Sequence, residues 1–295
     1  MNTNKGKTKR LVIFGEVLFD IFPDGRSVLG GASFNVAWSL NGFGRKPVFV
    51  SSVGSDTNGA AIREQMEAWE MDCGGLQTDP VHLTGEVRVR IDNDEPSYEI
   101  CAKRAWDFIN DEQYAAEGLL YHGLLALRSP VSHTTLQRMI ERSPAQRFFD
   151  INLRPPYTDL AVMKKWLHST HWLKLNIDEL RSLVEETGIT LENCKDAIDQ
   201  LRETYSIGNV VLTGGASGAV LHGDYGHAAC LPAPQPDPFI DTVGAGDAFS
   251  AATIEGILRG LPAEEIVTTA SRFAAKVCGL RGATTTDRSF YTAVY

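Results

Sequence analysis

A chain of 295 residues, 43% hydrophobic and 22% charged, has ordinary globular composition and ample length for a large core, arranged as one big α/β domain or as two domains. A formal net charge of −9 argues against nucleic acid and anionic membrane as partners. Five scattered cysteines without a CxxC fit reduced thiols in a cytoplasmic protein, and neither an HExxH nor an apolar run of membrane-spanning length occurs.

Residues 1–10 are polar and basic and read as a frayed tail. Leu11-Val-Ile-Phe14 is a continuous apolar run, the pattern of a strand buried on both faces. Glu16 to Asp20 continues from it, Pro23-Asp-Gly25 turns, and Arg26 to Leu29 returns as a second strand. Gly30-Gly-Ala-Ser-Phe-Asn35 then opens a helix expected over 36–42. Its glycines let backbone approach something closely, and Asn35 offers a donor and an acceptor suited to hydroxyl groups; a plain glycine turn with a polar helix start explains the same residues. A buried strand over 47–51, a polar loop over 54–59 and a helix over 60–70 follow. Glu86 to Asp92 alternates, with Val87, Val89 and Ile91 on one face and Arg88 and Arg90 on the other. After a turn at Asn93–Pro96, Ser97 to Cys101 alternates again. The two hairpins, at about 18–30 and 85–102, pair into a small sheet of about four strands that reads as a lid.

From Gly118 the pattern is strand and helix in turn: strands at 119–127, 147–151, 172–175 and 209–213, helices at 130–141, 159–168, 178–187 and 195–205. Repeated βα units predict a parallel sheet covered by helices on both faces, with ligands beyond the carboxyl ends of the strands. Asp150, Asn152, Arg154, Asn176, Glu179 and Thr213-Gly-Gly215 all fall near those ends. Asn176 and Glu179 form a capping box, or hold Mg²⁺ through water. Thr213-Gly-Gly-Ala-Ser-Gly218 is a β-turn, or a loop that approaches nucleotide phosphates.

Asp241-Thr-Val-Gly-Ala-Gly-Asp247 precedes a helical run of small apolar residues. Gly244 and Gly246 therefore sit at a helix N-terminus, where unpaired N–H groups and the positive end of the dipole make an anion hole. Asp247 falls in the first turn beside it, placed to take a proton from an attacking hydroxyl. Ordinary helix-start chemistry accounts for the same residues. The chain has neither a GxxxxGK[ST] P-loop nor a GxGxxG after its first strand, which counts against a nicotinamide oxidoreductase.

With Gly30–Asn35 near the start, Asp241–Asp247 near the end, and Asn176–Glu179 and Thr213–Gly218 between them in order, the chain resembles the ribokinase-like (phosphofructokinase B type) carbohydrate kinases along nearly its full length. The resemblance implies a single kinase domain over 1–295, a Rossmann-like sheet with a β-sheet lid. It implies Asp247 as catalytic base and Gly244, Ala245 and Gly246 as the anion hole. Asp20, Gly30, Gly31 and Asn35 match the sugar-binding stretches, and Arg154 joins them. Asn176, Glu179, Thr213, Gly215 and Gly218 match nucleotide-binding positions, with Glu179 reaching Mg²⁺ through water. Asp241, with the Val243 backbone and the Arg281-Gly-Ala283 turn, resembles a monovalent-cation (K⁺) site. A homodimer through the apolar lid residues Val87, Val89 and Ile91 is consistent with the family.

Phe14-Gly-Glu-Val-Leu-Phe-Asp20, Pro96–Ile100, Ala105-Trp-Asp107, Tyr121-His-Gly123 and Asp150–Pro156 look like bacterial fructokinases. Ketodeoxygluconate kinases are similar, and often carry an arginine for the substrate carboxylate two residues after the lid tyrosine; here that position is Ile100. A neutral ketose is therefore favoured, with Arg154, Arg88 and Arg90 leaving a sugar acid open, and the lack of an aromatic platform for a base counts against a nucleoside. The implied reaction moves the γ-phosphoryl group of ATP, with Mg²⁺, to a primary sugar hydroxyl, O6 of fructose. A sugar-binding regulator with a dead kinase site is the rival from another class.

Overall fold

The computed structural model describes residues 10–92, 95–110, 113–157, 160–168 and 170–295. The expected tail over 1–10 lies outside the described residues except for Arg10, as do Asn93 and Asp94 of the lid turn and Asp159 at an expected helix start.

Among the described residues the strands form two sheets. The strands are β1 (Leu11–Phe14), β2 (Leu18–Ile21), β3 (Ser27–Gly30), β4 (Val48–Gly54), β5 (Leu76–Asp79), β6 (Gly85–Asp92) and β7 (Glu95–Ile100), then β8 (Leu119–Gly123), β9 (Gln146–Asp150), β10 (Trp172–Asn176), β11 (Asn209–Thr213), β12 (Ala219–Gly223) and β13 (Gly226–Cys230). The large sheet runs β13-β12-β11-β10-β9-β8-β1-β4-β5, and the small one runs β3-β2-β6-β7. From β11 through β5 the large sheet is parallel; β12 and β13 form an antiparallel hairpin on its edge. That hairpin and β5 are additions to the sequence-based expectation. They are only four or five residues long, so they give little periodic signal.

The helices are α1 (Ala32–Gly42), α2 (Thr57–Ala68), α3 (Pro130–Glu141), α4 (Leu160–Leu167), α5 (Ile177–Val184), α6 (Lys195–Tyr205), α7 (Ala245–Arg259), α8 (Ala263–Val277) and α9 (Arg288–Thr292). They cover both faces of the large sheet, as β1 shows in miniature. Leu11 and Ile13 pack into the core shared with α1, α2, α7 and α8, while Val12 and Phe14 pack into the core shared with α3 to α6. Two helices start earlier than expected. α1 begins at Ala32 with Gly31 as N-cap, which places Asn35 inside the helix. α2 begins at Thr57 because Asp56 caps it, its side chain accepting from the Gly59 N–H. Residues 57–59 therefore belong to the helix and not to a loop.

α1 and α7 are fastened to each other twice. Near their N-termini Asn35 meets Asp247, and near their C-termini Arg45 makes a two-pronged contact at 2.6 and 3.1 Å with the buried Glu255. An aromatic cluster of Phe43, Phe273 and Tyr291 closes the same end.

The small sheet is the expected lid, with β2 and β6 parallel at its centre. Its β3 strand leans on the 281–283 turn: a Cβ at Gly282 would sit 3.5 Å from Val28. The apolar lid stripe does not offer a free face for a second copy of the chain. Val87 and Val89 are buried within the chain, and Asp20 stands in register with Val87. The Ile91 side chain lies outside the described residues. Within the chain, Val87 and Val89 are therefore covered, and the expected homodimer through the lid would have to use other lid residues.

Candidate active site

The start of α7 follows from its glycines. Gly244 is the N-cap at φ 77°, and a Cβ there would stand 2.3 Å from the Ala283 Cβ. Glycine is required by both the backbone conformation and the contact. The Ala245 N–H turns back to the Thr242 carbonyl at 3.2 Å, so of the three amides expected in the anion hole Ala245 is committed elsewhere. The N–H groups of Gly244, Gly246 and Asp247 meet no acceptor among the described residues. They sit at the positive end of a 15-residue helix, an arrangement able to hold an anion.

Asp247 follows in the first turn, and its Oδ2 accepts from Asn35 Nδ2 at 2.8 Å. Burial pushes this carboxyl above the ordinary aspartate value; the Asn35 hydrogen bond opposes that, the Asp150 charge adds to it, and Lys174 and Arg154 oppose it. The other half of the Asn35 amide, Oδ1, is buried without a partner. An unpaired buried acceptor beside a carboxylate suits a hydroxyl-bearing ligand.

Asp20, on the lid strand β2, pairs with Val28 across the hairpin, and its side chain leans toward Gly30, where a Cβ would lie 3.3 Å from its Oδ2. Burial pushes Asp20 up to about 6, with Arg154 pulling the other way. Arg154 is exposed but close enough to act on both Asp20 and Asp247. Gly31, at φ 110°, has the Glu16 carbonyl oxygen 2.8 Å from where a Cβ would be. The close approach that this glycine permits is to the chain itself.

Beneath these groups lies a buried polar floor. Asp150 ends β9, fully buried, and accepts from Lys174 Nζ at 3.0 Å, Ser250 Oγ at 2.8 Å and Tyr121 at 3.4 Å. Asp150 is thus spent on structure rather than offered to a ligand. Burial works against the charge on Lys174, but Asp150, Glu179 and Asp247 outweigh it and raise its pKa. Its Nζ reaches to within 3.3 Å of where a Cβ on Gly246 would stand, placing a cation directly under the first turn of α7. Removing one member of such a buried pair costs about 3–5 kcal/mol.

Asn176 and Glu179 are a capping box. Asn176 Oδ1 accepts from the N–H groups of Asp178 and Glu179 at 3.0 and 2.9 Å, and Glu179 Oε2 accepts from the Asn176 N–H at 2.7 Å. Glu179 Oε1 takes the Leu153 N–H at 2.7 Å, tying α5 to the loop after β9. Both Glu179 oxygens are hydrogen-bonded, so this donor set suits Mg²⁺ held through water rather than directly. Asp241 accepts from the Val243 N–H at 2.8 Å.

On the other side of the anion hole a cavity of about 340 Å³ is lined by Thr213, Gly215 and Gly218, the 233–236 segment, Phe239, Gly246 and residues of α8. That size suits a small-molecule ligand. Gly215 is open, with no atom within 4 Å of a built Cβ, whereas Gly218 is pressed against the Cys230 carbonyl. Ser271 lines the cavity, and its Oγ is buried without a partner.

The structure therefore brings together Asp20, Gly30, Gly31, Asn35, Gly244, Gly246 and Asp247, with Arg154 at their edge. Thr213, Gly215 and Gly218 line the adjoining cavity. Sequence reasoning missed Glu16, Lys174 and Ser271. Lys174 carried a usable signal, a lone charge in the apolar strand Trp172-Leu-Lys-Leu175. Glu16, directly after a buried strand, carried a weaker one; Ser271 carried none.

Comparison with known proteins agrees with this fold. Residues 8–289 match the model of the pfkB family carbohydrate kinases. The chain is 26% identical over 287 residues to a fructokinase of Salmonella typhimurium, covering 90% of this chain and 91% of that one. It superposes on a Vibrio cholerae fructokinase, seen with fructose, ADP and a calcium ion, with a TM-score of 0.79 at 23% identity over 98% of this chain and 99% of that one. It superposes on the Pyrococcus horikoshii sugar kinase PH1459, seen with ATP, with a TM-score of 0.75 at 25% identity over 92% and 93% of the two chains. The chain belongs to the pfkB family of carbohydrate kinases.

Proposed function

We propose that this ATP-dependent sugar kinase phosphorylates the primary O6 hydroxyl of fructose. The observation that carries the reading is the Asp247 carboxylate, held by Asn35 beside free N–H groups at the start of α7, with the lid on one side and the cavity on the other. The fructokinase relative from Salmonella typhimurium supports the ketose, and Ile100 in the lid offers no cation for a sugar acid.

In this reading the cavity takes the nucleotide, with Ser271 Oγ as a polar handle. Asp20 and Asn35 Oδ1 accept hydrogen bonds from sugar hydroxyls and orient O6 toward the γ-phosphorus. As O6 bonds to phosphorus, its proton passes to Asp247 and the β–γ bridging oxygen leaves with ADP. The Gly244 and Gly246 amides, with Lys174 beneath them, receive the negative charge on the transferring group. Mg²⁺, held through water near Glu179, would neutralise phosphate charge, and K⁺ would sit near Asp241. The lid keeps water from competing for the phosphoryl group.

A sugar acid such as ketodeoxygluconate is the second reading, and exposed Arg154 beside Asp20 is the observation that favours it. Coupled ADP release with Mg-ATP, with and without K⁺, across fructose, ketodeoxygluconate, ribose, tagatose and adenosine decides between them. Preference for fructose is the expected result, and preference for the acid would transfer the assignment to the second reading.

A further inference from the structure

We propose that Glu16 is a positioning residue for phosphoryl transfer: it caps α1 from outside the helix and so sets Asn35 against Asp247. The inference rests on the reading of Asp247 as the base.

A helix begins with N–H groups that lack intrahelical partners, and a Ser, Thr, Asp or Asn at the N-cap usually takes one of them. α1 cannot use that solution. Its N-cap is Gly31, and φ 110° together with the Glu16 carbonyl 2.8 Å from a built Cβ excludes a side chain there. The cap comes instead from Glu16, 17 positions before the Ser33 that it holds. Glu16 Oε1 accepts from the Ser33 N–H at 3.2 Å, and Glu16 Oε2 accepts from Ser33 Oγ at 3.2 Å. Gly15 packs tightly against the contact, since a Cβ there would fall 2.0 Å from Ser33 Oγ.

Asn35 lies two residues beyond Ser33 in the same turn of α1, and its Nδ2 holds Asp247. The path from Glu16 to the base thus runs through two hydrogen-bonded contacts and half a turn of helix. Glu16 is 2% exposed and has no lysine or arginine partner among the described residues. The titratable groups that act on it or feel it are Asp247 and Tyr121. Burial, with Asp247 adding to it, pushes the Glu16 carboxyl upward. A buried carboxylate in this position is expensive for a cap that a neutral side chain could supply, which fits a residue retained for where it puts Asn35.

The test is a double-mutant cycle on kcat with Mg-ATP and the preferred sugar, after Asp247→Asn has been shown to abolish most turnover. Glu16→Ala alone is expected to lower kcat by about 10- to 100-fold, the scale of a misplaced catalytic group. In an Asn35→Ala background the same change is expected to lower kcat by less than about twofold, because the two act through one contact. Rescue of kcat by Glu16→Gln, which keeps an acceptor for the Ser33 N–H, is expected as well. If Glu16→Ala does not fold, Glu16→Asp, too short to reach both Ser33 donors, replaces it in the cycle with the same expectation. Equal losses in the wild-type and Asn35→Ala backgrounds would overturn the proposal while leaving the base assignment intact. Normal turnover in Asp247→Asn would instead remove the base assignment itself.

Discussion

Asn35 Nδ2 donates to Asp247 Oδ2 at 2.8 Å, joining two residues 212 positions apart at the head of two helices. The bond does two things at once. It fixes the carboxylate beside the free amides of α7, and it favours the ionised form, since a donor to a carboxylate stabilises the charge. Burial acts in the opposite sense and wins, leaving Asp247 above the ordinary aspartate value. A general base works only when deprotonated, so activity falls as pH drops through that raised pKa. Asn35→Ala removes an opposing influence and is expected to move the acid limb of kcat/KM to higher pH, with kcat lower by about 10- to 100-fold. A pH–rate profile from pH 4 to 9 reads both. An unmoved acid limb would mean that the titrating group is not Asp247.

Asp247→Asn keeps the shape of the site and removes the proton acceptor. The expected loss in kcat is about 10²–10⁴, with sugar affinity kept within a few-fold. Steady-state kinetics paired with calorimetric sugar titration separates the two quantities. Near-normal turnover would defeat the assignment.

Gly244 and Gly215 give a matched pair of substitutions. Both have positive φ, so alanine at either costs about 1–2 kcal/mol of backbone strain. Only at Gly244 would the new methyl strike another residue, 2.3 Å from the Ala283 Cβ; at Gly215 nothing lies within 4 Å. Gly244→Ala is expected to lower Tm more than Gly215→Ala and to cut kcat at least tenfold, because the first amides of α7 must shift. Thermal unfolding and kcat measured side by side test it, and equal Tm losses in the two variants would contradict the contact.

The parts of this site that were legible in sequence are those in which local backbone chemistry does the work. Two glycines before a run of small apolar residues can do little except start a helix and leave its amides open, and Asp247 follows from spacing alone. The lid was readable for the same reason: Val87 and Val89 alternate with arginines. What alternation does not tell is which side faces inward, and the stripe assigned to a dimer is in fact covered within the chain, on the register of Asp20. The remote cap from Glu16 to Ser33 and the cation under Gly246 are pairings between distant segments, invisible until the sheet brings them together. The nucleotide-side cavity is of the same kind: residues 233–236, Ser271, Ala274 and Ala275 share its wall although no local pattern joins the two segments.

That wall is almost wholly apolar, with Ser271 Oγ as a buried hydroxyl that has no partner. If a nucleotide base supplies the partner, Ser271→Ala forfeits one hydrogen bond, worth about 0.5–1.5 kcal/mol, and the KM for ATP is expected to rise about two- to tenfold with the sugar KM unchanged. Ser271→Leu, which fills the cavity, should raise the KM for ATP further. A rise in the sugar KM instead would place the sugar, not the nucleotide, in this cavity.

Asp20 links pH to sugar binding and to stability in a way that distinguishes it from Asp247. Burial pushes its pKa from 3.8 to about 6, and the nearby Arg154 charge restrains the rise. The ionised carboxylate accepts hydrogen bonds from sugar hydroxyls, so the KM for sugar should climb as pH falls through about 6. Without Arg154 the restraint is gone, and in Arg154→Ala the climb should begin at higher pH. The free protein should show the complementary effect. A carboxyl whose folded pKa lies above its unfolded value binds its proton more tightly in the native state, so it lowers stability progressively as pH rises from the unfolded value through the folded one. Asp20→Asn should therefore raise Tm at pH 7 to 8 and leave it nearly unchanged at pH 4, while its sugar KM is high and flat across the range. Sugar KM from pH 5 to 8 and Tm at both extremes settle the matter together. A wild-type KM that stays level through pH 6, with an unchanged Tm at pH 8 in Asp20→Asn, would mean that Asp20 is solvated like any surface aspartate and that the lid does not close over it.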